Sequence, residues 1–247
     1  HFTGGGKYPE YKAIGKAPTP QGAQGDTDVT NLLHPVTMIS WRDAIIWCNA
    51  LNEVLNLPLP YRYKDGSPIK DATKEIRDGA FKYCDVDTAT LHDEGGYRLP
   101  TEAEWEAAAR GGSPNVEAVW NYKYAGSNSF ESVAWIEGNS KERTHEAGSK
   151  SPNTLSIYDM TGNVDEWCFD IYNEKVTQSD NSYKVDELVC NPQGMVLPEE
   201  PTAQDYYRIK RCYRGGKFEA DADYCLVSLR KNNEPYGKNN GLGFCLN

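Results

Sequence analysis

Chemistry in this chain would have to come from sulfur, imidazole or clustered carboxylates. Seven cysteines are present, Cys48, Cys84, Cys168, Cys190, Cys212, Cys225 and Cys245, and no two stand at CxxC spacing. That spacing argues against a zinc ribbon or a thioredoxin-like centre. An odd number cannot all pair within one chain. The cysteines read either as small buried hydrophobes or, in an exported protein, as disulfides with a thiol left over. The four histidines, His1, His34, His92 and His145, have no metal-ligand spacing and read as scattered loop residues. Glu102, Glu104 and Glu106 resemble acid–base groups, but they open an expected helix, where negative charge complements the N-terminal dipole. No G-x-S-x-G, P-loop or G-x-G-x-x-G is present.

The segment from Arg214 to Asn247 is the most informative. It opens on Arg214-Gly215-Gly216 and closes on Gly241-Leu242-Gly243-Phe244, and both ends read as fixed scaffold. Between them lie Asp221, Asp223, Tyr224, Ser228, Asn232, Asn233, Tyr236, Asn239 and Asn240, with almost no periodicity. Such a run reads as surface, and Tyr and Asn combine contact area with adaptable hydrogen bonding.

Two helices must position these residues. Ser40 and Asp43 form a capping box before Trp41, Ala44, Ile45, Cys48, Leu51 and Leu55, a stripe expected in the core and stopped by Pro58. The second helix follows Tyr97-Arg98-Leu99-Pro100, with Thr101 and Glu104 as its box, Trp105, Ala108 and Ala109 facing inward, and Gly111-Gly112 as its end. A short strand is expected at 61–63 and a turn at Asp65-Gly66. Gly162 to Trp167 reads as a tight turn into a strand, and 211–218 and 243–246 as strands bracketing the polar run. Residues 1–33 read as an arm packed on a domain spanning 34–247, and 171–205 as a surface insertion.

Composition bounds the remainder. The 247 residues carry a net charge of −10, 22 Gly, 14 Pro, 6 Trp and 16 Tyr. This fits one loop-rich domain with an aromatic core. An acidic chain does not concentrate on phosphate backbones, so nucleic acid is not expected as a partner. No stretch approaches the ~20 apolar residues of a membrane span.

Five blocks together resemble the formylglycine-generating enzyme, or sulfatase-modifying factor, family. They are Pro35 to Cys48; Tyr97-Arg98-Leu99-Pro100-Thr101-Glu102-Ala103-Glu104-Trp105-Glu106 with Ala108 to Gly112; Tyr158-Asp159-Met160 with Gly162 to Cys168; Arg214-Gly215-Gly216; and Gly243-Phe244. The resemblance implies an α+β fold, the family's variant of the C-type lectin fold, irregular and low in regular secondary structure. In the oxidases of the family two cysteines follow the double glycine and handle copper and the substrate thiol. Here the second falls on Cys225 and the first on Ala220. A methyl group neither ligates a metal nor exchanges with a disulfide, so the expectation is a chain that is not an enzyme. The alternative is a formylglycine-generating-type thiol oxidase pairing Cys225 with Cys212 or Cys245.

The lost cysteine and the polar tail resemble a non-catalytic branch, the variable proteins of diversity-generating retroelements, and within it an exported spirochaete group. The resemblance implies a ligand-binding protein with a C-terminal variable region of about 214–247. Ala222, Cys225, Val227 and Arg230 would be scaffold. Ala220, Asp221, Asp223, Tyr224, Leu226, Ser228, Asn232, Asn233, Tyr236, Asn239 and Asn240 would be substitutable, ligand-facing positions. The implied partner is an unidentified protein or other macromolecule. The implied location is the cell surface or periplasm, through a lipid anchor preceding this chain, which begins at His1. No cofactor is required. The family's calcium turn maps onto Asp159, Gly162, Val164 and Glu166, oxygen ligands that suit a structural Ca²⁺; an ordinary turn is the equal alternative.

Overall fold

Helix α1, Trp41–Leu55, begins where its cap residues put it. Ser40 is extended, its hydroxyl accepts from Asp43 N, and the Asp43 carboxylate accepts from Ser40 N. Helix α2, Glu102–Ala109, repeats the device with Thr101 and Glu104. The computed structural model describes residues 33–63, 66–71, 95–112, 120–172 and 209–245. A short helix α3 covers Glu137–Ser140, and single 3-10 turns lie at Phe130–Ser132 and Ala222–Tyr224. Among the described residues there are four strands, β1 (Asp165–Ile171), β2 (Arg211–Arg214), β3 (Lys231–Asn233) and β4 (Leu242–Gly243), ordered β3-β2-β1-β4. Strands β1, β2 and β3 are antiparallel neighbours, and β4 runs parallel to β1. This is a mixed α/β fold with few helices and a small curled sheet, as the resemblance implies.

Strand β1 is buried along its whole length, so its two faces fill two clusters. Trp167 and Phe169 join Trp41, Ile45, Cys48, Tyr61 and Leu99 on one side. Cys168 joins Trp105, Ala109, Met160, Cys212 and Val227 on the other. A third cluster holds Tyr124, Val133, Ala134, Ile136 and Cys225. Hydrogen bonds lock the large rings: Trp41 Nε1 donates to Cys168 O at 3.0 Å and Trp167 Nε1 to Ile39 O at 3.2 Å.

Loops take the place of further strands, and asparagines satisfy them. Asn49 donates to Tyr61 O and Ile69 O and accepts from Tyr61 N; Asn52 bonds Tyr97 N and O. A buried amide that offers donor and acceptor together substitutes for a strand neighbour. This is why 61–63 forms only a bridge from Arg62 to Pro68 and no strand. The α1 stripe also runs out early: Leu51 is half-buried and Leu55 is 47% exposed. Strand β2 stops at Arg214, because Gly215 and Gly216 turn with φ of +100° and +85°. Of the insertion expected at 171–205, Ile171 is instead the buried end of β1, and of the strand expected at 243–246, Phe244 and Cys245 are not strand, since β4 ends at Gly243. Residues 173–205, Asp65, residues 1–32 of the arm and Leu246 lie outside the described residues. No helix among the described residues is long and apolar enough to cross a membrane.

Gly216 combines positive φ with close approach, since a Cβ there would stand 2.8 Å from Cys225 Cα. We predict that Gly216→Ala lowers stability by roughly 2–4 kcal/mol, from left-handed backbone strain plus overpacking. The shift in denaturant midpoint measures it.

Candidate functional site

The C-terminal face is assembled on one charge cluster. Arg214, the last residue of β2, is fully buried, with 0% exposure. Its guanidinium donates to Glu102 Oε1 at 3.2 Å, to Glu106 Oε2 and to Val227 O at 2.8 Å. Arg230 clamps the same Glu102 through both carboxylate oxygens. Burial alone would raise the Glu102 pKa, but Arg230 and Arg214 hold it below the usual carboxylate range. Arg98 likewise holds Glu104 down at about 2 against its burial, through hydrogen bonds of 2.7 Å to each oxygen. The glutamates of α2 are therefore more than a charged helix start. They fasten two parts of the chain: Glu102 and Glu106 the C-terminal segment, Glu104 the preceding loop.

This anchor sorts the tail. Cys225 and Val227 are buried, and Ala222 and Arg230 half-buried, all on the inner side. Asp221, Asp223, Tyr224, Ser228 and Tyr236 are exposed, Tyr224 by 61% and Tyr236 by 47%. Ala220, Leu226, Asn232, Asn233, Asn239 and Asn240 are half-buried. Asn232 and Asn233 lie on the edge strand β3, opposite Cys212 and Arg211, an element too short and polar to show in the sequence. Asn239 O accepts from Met38 N at 3.1 Å and Pro235 O from Arg42 N at 3.3 Å, so the segment before α1 borders the same face.

Ala220 and Cys225, onto which the resemblance maps the family's cysteine pair, are neighbours. Cys225 Sγ lies 4.0 Å from the carbonyl oxygens of Ala220 and Lys217, and the Ala220 side chain packs in the same cluster. Burial pushes the Cys225 thiol up to about 11, with Lys231 pulling the other way. Cys212 and Cys245 belong to a different cluster, and none of the five described cysteines is in a disulfide. A buried, protonated thiol beside a methyl group is a poor nucleophile and a poor metal ligand. His34 and His145 are more than scattered loop residues. The His145 ring stacks on Trp135 at 3.7 Å and bonds Ser140 O, and His34 bonds the Thr144 hydroxyl. Among the described residues, no three His, Cys, Asp or Glu side chains converge as a metal site.

The turn ahead of β1 is the most unusual acidic region. Asp159 sits at φ +57°; its Oδ2 accepts from Gly148 N at 2.7 Å, while its buried Oδ1 has no hydrogen-bond partner. Glu166 Oε2 accepts from Trp105 Nε1 at 2.7 Å. Burial, reinforced by Asp159 and Asp165, pushes the Glu166 pKa up to about 7, and burial raises Asp159 as well. An orphaned carboxylate oxygen near a second buried carboxylate is an arrangement a hard cation satisfies. With two such side chains among the described residues, its other ligands would be backbone carbonyls.

The chain belongs to the family described as "Sulfatase-modifying factor enzyme 1-like domain", which matches residues 5–246. It is 34% identical over 185 residues to "Chaperone protein LppX" of Paenibacillus barcinonensis, covering 67% of this chain and 60% of that protein. It is 30% identical over 164 residues to the formylglycine-generating enzyme of Streptomyces coelicolor, covering 62% and 47%. The matches thus span 60% or less of these curated relatives. Among solved structures, CarF has a TM-score of 0.70 at 26% identity, over 97% of this chain and 77% of its own. "Treponema denticola variable protein 1" has 0.62 at 30% identity, over 93% and 77%.

The charge cluster predicts a contrast. Glu102→Ala leaves Arg214 and Arg230 without their carboxylate and should cost roughly 3–5 kcal/mol. Glu219→Ala, which removes only exposed contacts to Lys217 and Asn240, should cost about 0–1 kcal/mol. Urea unfolding of the two variants checks both values.

Proposed function

We propose that this member of the sulfatase-modifying factor family is a binding protein without catalytic activity, using the face built on residues 220–240 to hold a macromolecular partner. The observation that carries the reading is the pairing of Ala220 with a buried Cys225 at the position where the oxidases keep two thiols. The exposed ring of Asp221, Asp223, Tyr224, Ser228 and Tyr236 on an anchored scaffold supports it. So does the similarity to a solved variable protein. A rigid platform displays such side chains at low entropic cost, and exposed tyrosines are frequent anchors of binding energy. The proposal extends to an exported, surface-displayed protein whose tail is rewritten by a retroelement.

Two measurements test this. Incubated with copper and a cysteine peptide, the protein should show no turnover; oxidation that Cys225→Ala abolishes would establish the oxidase instead. A template repeat near the gene, differing from codons 219–240 only opposite adenines, is expected; its absence would refute the diversified tail while leaving binding intact.

Calcium forms part of the same proposal. Asp159 and Glu166, with the Gly162 and Val164 carbonyls, would hold the ion, which neutralises two buried carboxylates and stiffens the turn into β1. Added Ca²⁺ should raise the thermal midpoint at pH 8, and Asp159→Asn or Glu166→Gln should remove that response. An unchanged wild-type midpoint at millimolar Ca²⁺ would refute the site. Without calcium the sign is fixed by Glu166: its folded pKa of about 7 lies above the ordinary value. Its contribution is therefore greatest below about pH 4.3 and is lost as pH rises through 7.

A further inference from the structure

We propose that Cys168 and Cys212 are the two halves of a cross-strand disulfide, closed when the chain folds in the presence of a disulfide donor. Glu166 pairs with Arg214 and Trp167 with Tyr213 before the ladder shifts register ahead of the Ile171–Arg211 pair; continuing the first two pairs by one step would set Cys168 beside Cys212. Side-chain alternation puts both on one face. Trp167 and Tyr213 meet edge-to-face at 5.7 Å on the side of the first cluster. Cys168 and Cys212 turn the other way, into the cluster of Trp105, Met160 and Val227. Directly opposed residues of an antiparallel pair have Cα atoms about 4.5–5.5 Å apart, within the span a disulfide bridges. Both side chains have 0% exposure, so no other molecule reaches either sulfur in the folded state.

The other described cysteines are placed differently. Cys48 lies in the first cluster and Cys225 in the third, while Cys245 packs against the second. Cys245 is thus the competitor that an experiment must exclude. The bridge is compatible with the charge cluster. Cys212 Sγ now donates to Glu102 Oε2 at 3.3 Å; losing that proton leaves Glu102 its bonds from Arg214 and Arg230.

In the reaction two S–H bonds break and one S–S bond forms. By thiol–disulfide exchange the two protons and two electrons pass to the donor, glutathione disulfide or an oxidised dithiol, whose S–S bond breaks to give two thiols. Because both sulfurs are enclosed in the finished fold, exchange belongs to folding, before β1 and β2 close over the second cluster. The closed loop contains the long polar segment between the strands, which adds to the expected stabilisation. The bridge would fix β2 just ahead of the glycine turn that launches the C-terminal face.

The test is to refold the full reduced chain in a glutathione redox buffer, quench with an alkylating agent and map peptides without reduction. One cross-linked peptide carrying Cys168 and Cys212, two hydrogens lighter than the free pair, is expected. Reduction should lower the thermal midpoint by roughly 5–10 °C. In Cys212→Val, which keeps the core apolar, both the cross-link and the redox dependence of the midpoint should vanish. If that variant does not fold, Cys168→Ala makes the same comparison and the wild-type map still decides. Recovery of Cys168 and Cys212 alkylated, or of either joined to Cys245, Cys190 or another cysteine, overturns the proposal.

Discussion

A buried guanidinium is tolerated only when its charge is matched. Glu102 and Glu106 match that of Arg214 and the Val227 carbonyl takes a further bond, while its Nε is left without a partner. Much of the domain follows from this one requirement. It needs α2 to start at Glu102, which the Thr101–Glu104 box ensures. It needs β2 to lie beside α2, which places Gly215 and Gly216 at the rim. It needs the chain to return past Val227 and Arg230, because their carbonyl and guanidinium complete the cluster. The tail is therefore pinned internally at Val227 and Arg230, and exposed side chains lie on either side of the pins, Asp221, Asp223 and Tyr224 before them and Tyr236 after.

The fold around this cluster has little sheet to lean on, and polar side chains make up the difference. Asn153 donates to Ala108 O at 2.6 Å and accepts from Leu155 N and Ile157 N. Asn163, at φ +62°, accepts from His145 N and donates to its carbonyl. Each amide repairs the backbone of a loop that has no strand partner. An irregular chain can then be rigid, because its orphan groups are satisfied one by one. Rigidity of that kind tolerates substitution on outward side chains that make no such bond, whereas Asn233 and Asn239 of the tail accept from Glu234 N and Gly241 N.

What the sequence made legible follows the range of the forces involved. Both helices and their capping boxes were readable, because a cap acts over three residues. The burial of Trp105 and Cys48 was readable from helical spacing. The glutamates of α2 were not, because their partners lie far along the chain: Glu102 meets Arg214 and Arg230 only after folding. Periodicity alone misjudged Leu55, since nothing local marks where the core ends. It also missed β3, whose three residues, Lys231–Asn233, have no apolar face. The resemblance supplied the fold where local physics could not, because irregular loops leave no periodic trace.

The Ala220–Cys225 contact shows how such a scaffold separates framework from chemistry. The alanine keeps the backbone role of its position: its N–H bonds Lys217 O and its carbonyl accepts from Glu137 N. Neither bond involves the side chain, so exchanging sulfur for a methyl leaves the turn intact. Cys225 is fixed by contacts of another kind, filling the space above Gly216, where even a Cβ would not fit. One position thus depends on its backbone and the other on its volume. The first tolerates exchange as far as its half-buried place against the third cluster allows; the second does not. On the proposed reading, this difference decides which positions of the tail are open to rewriting and which must stay.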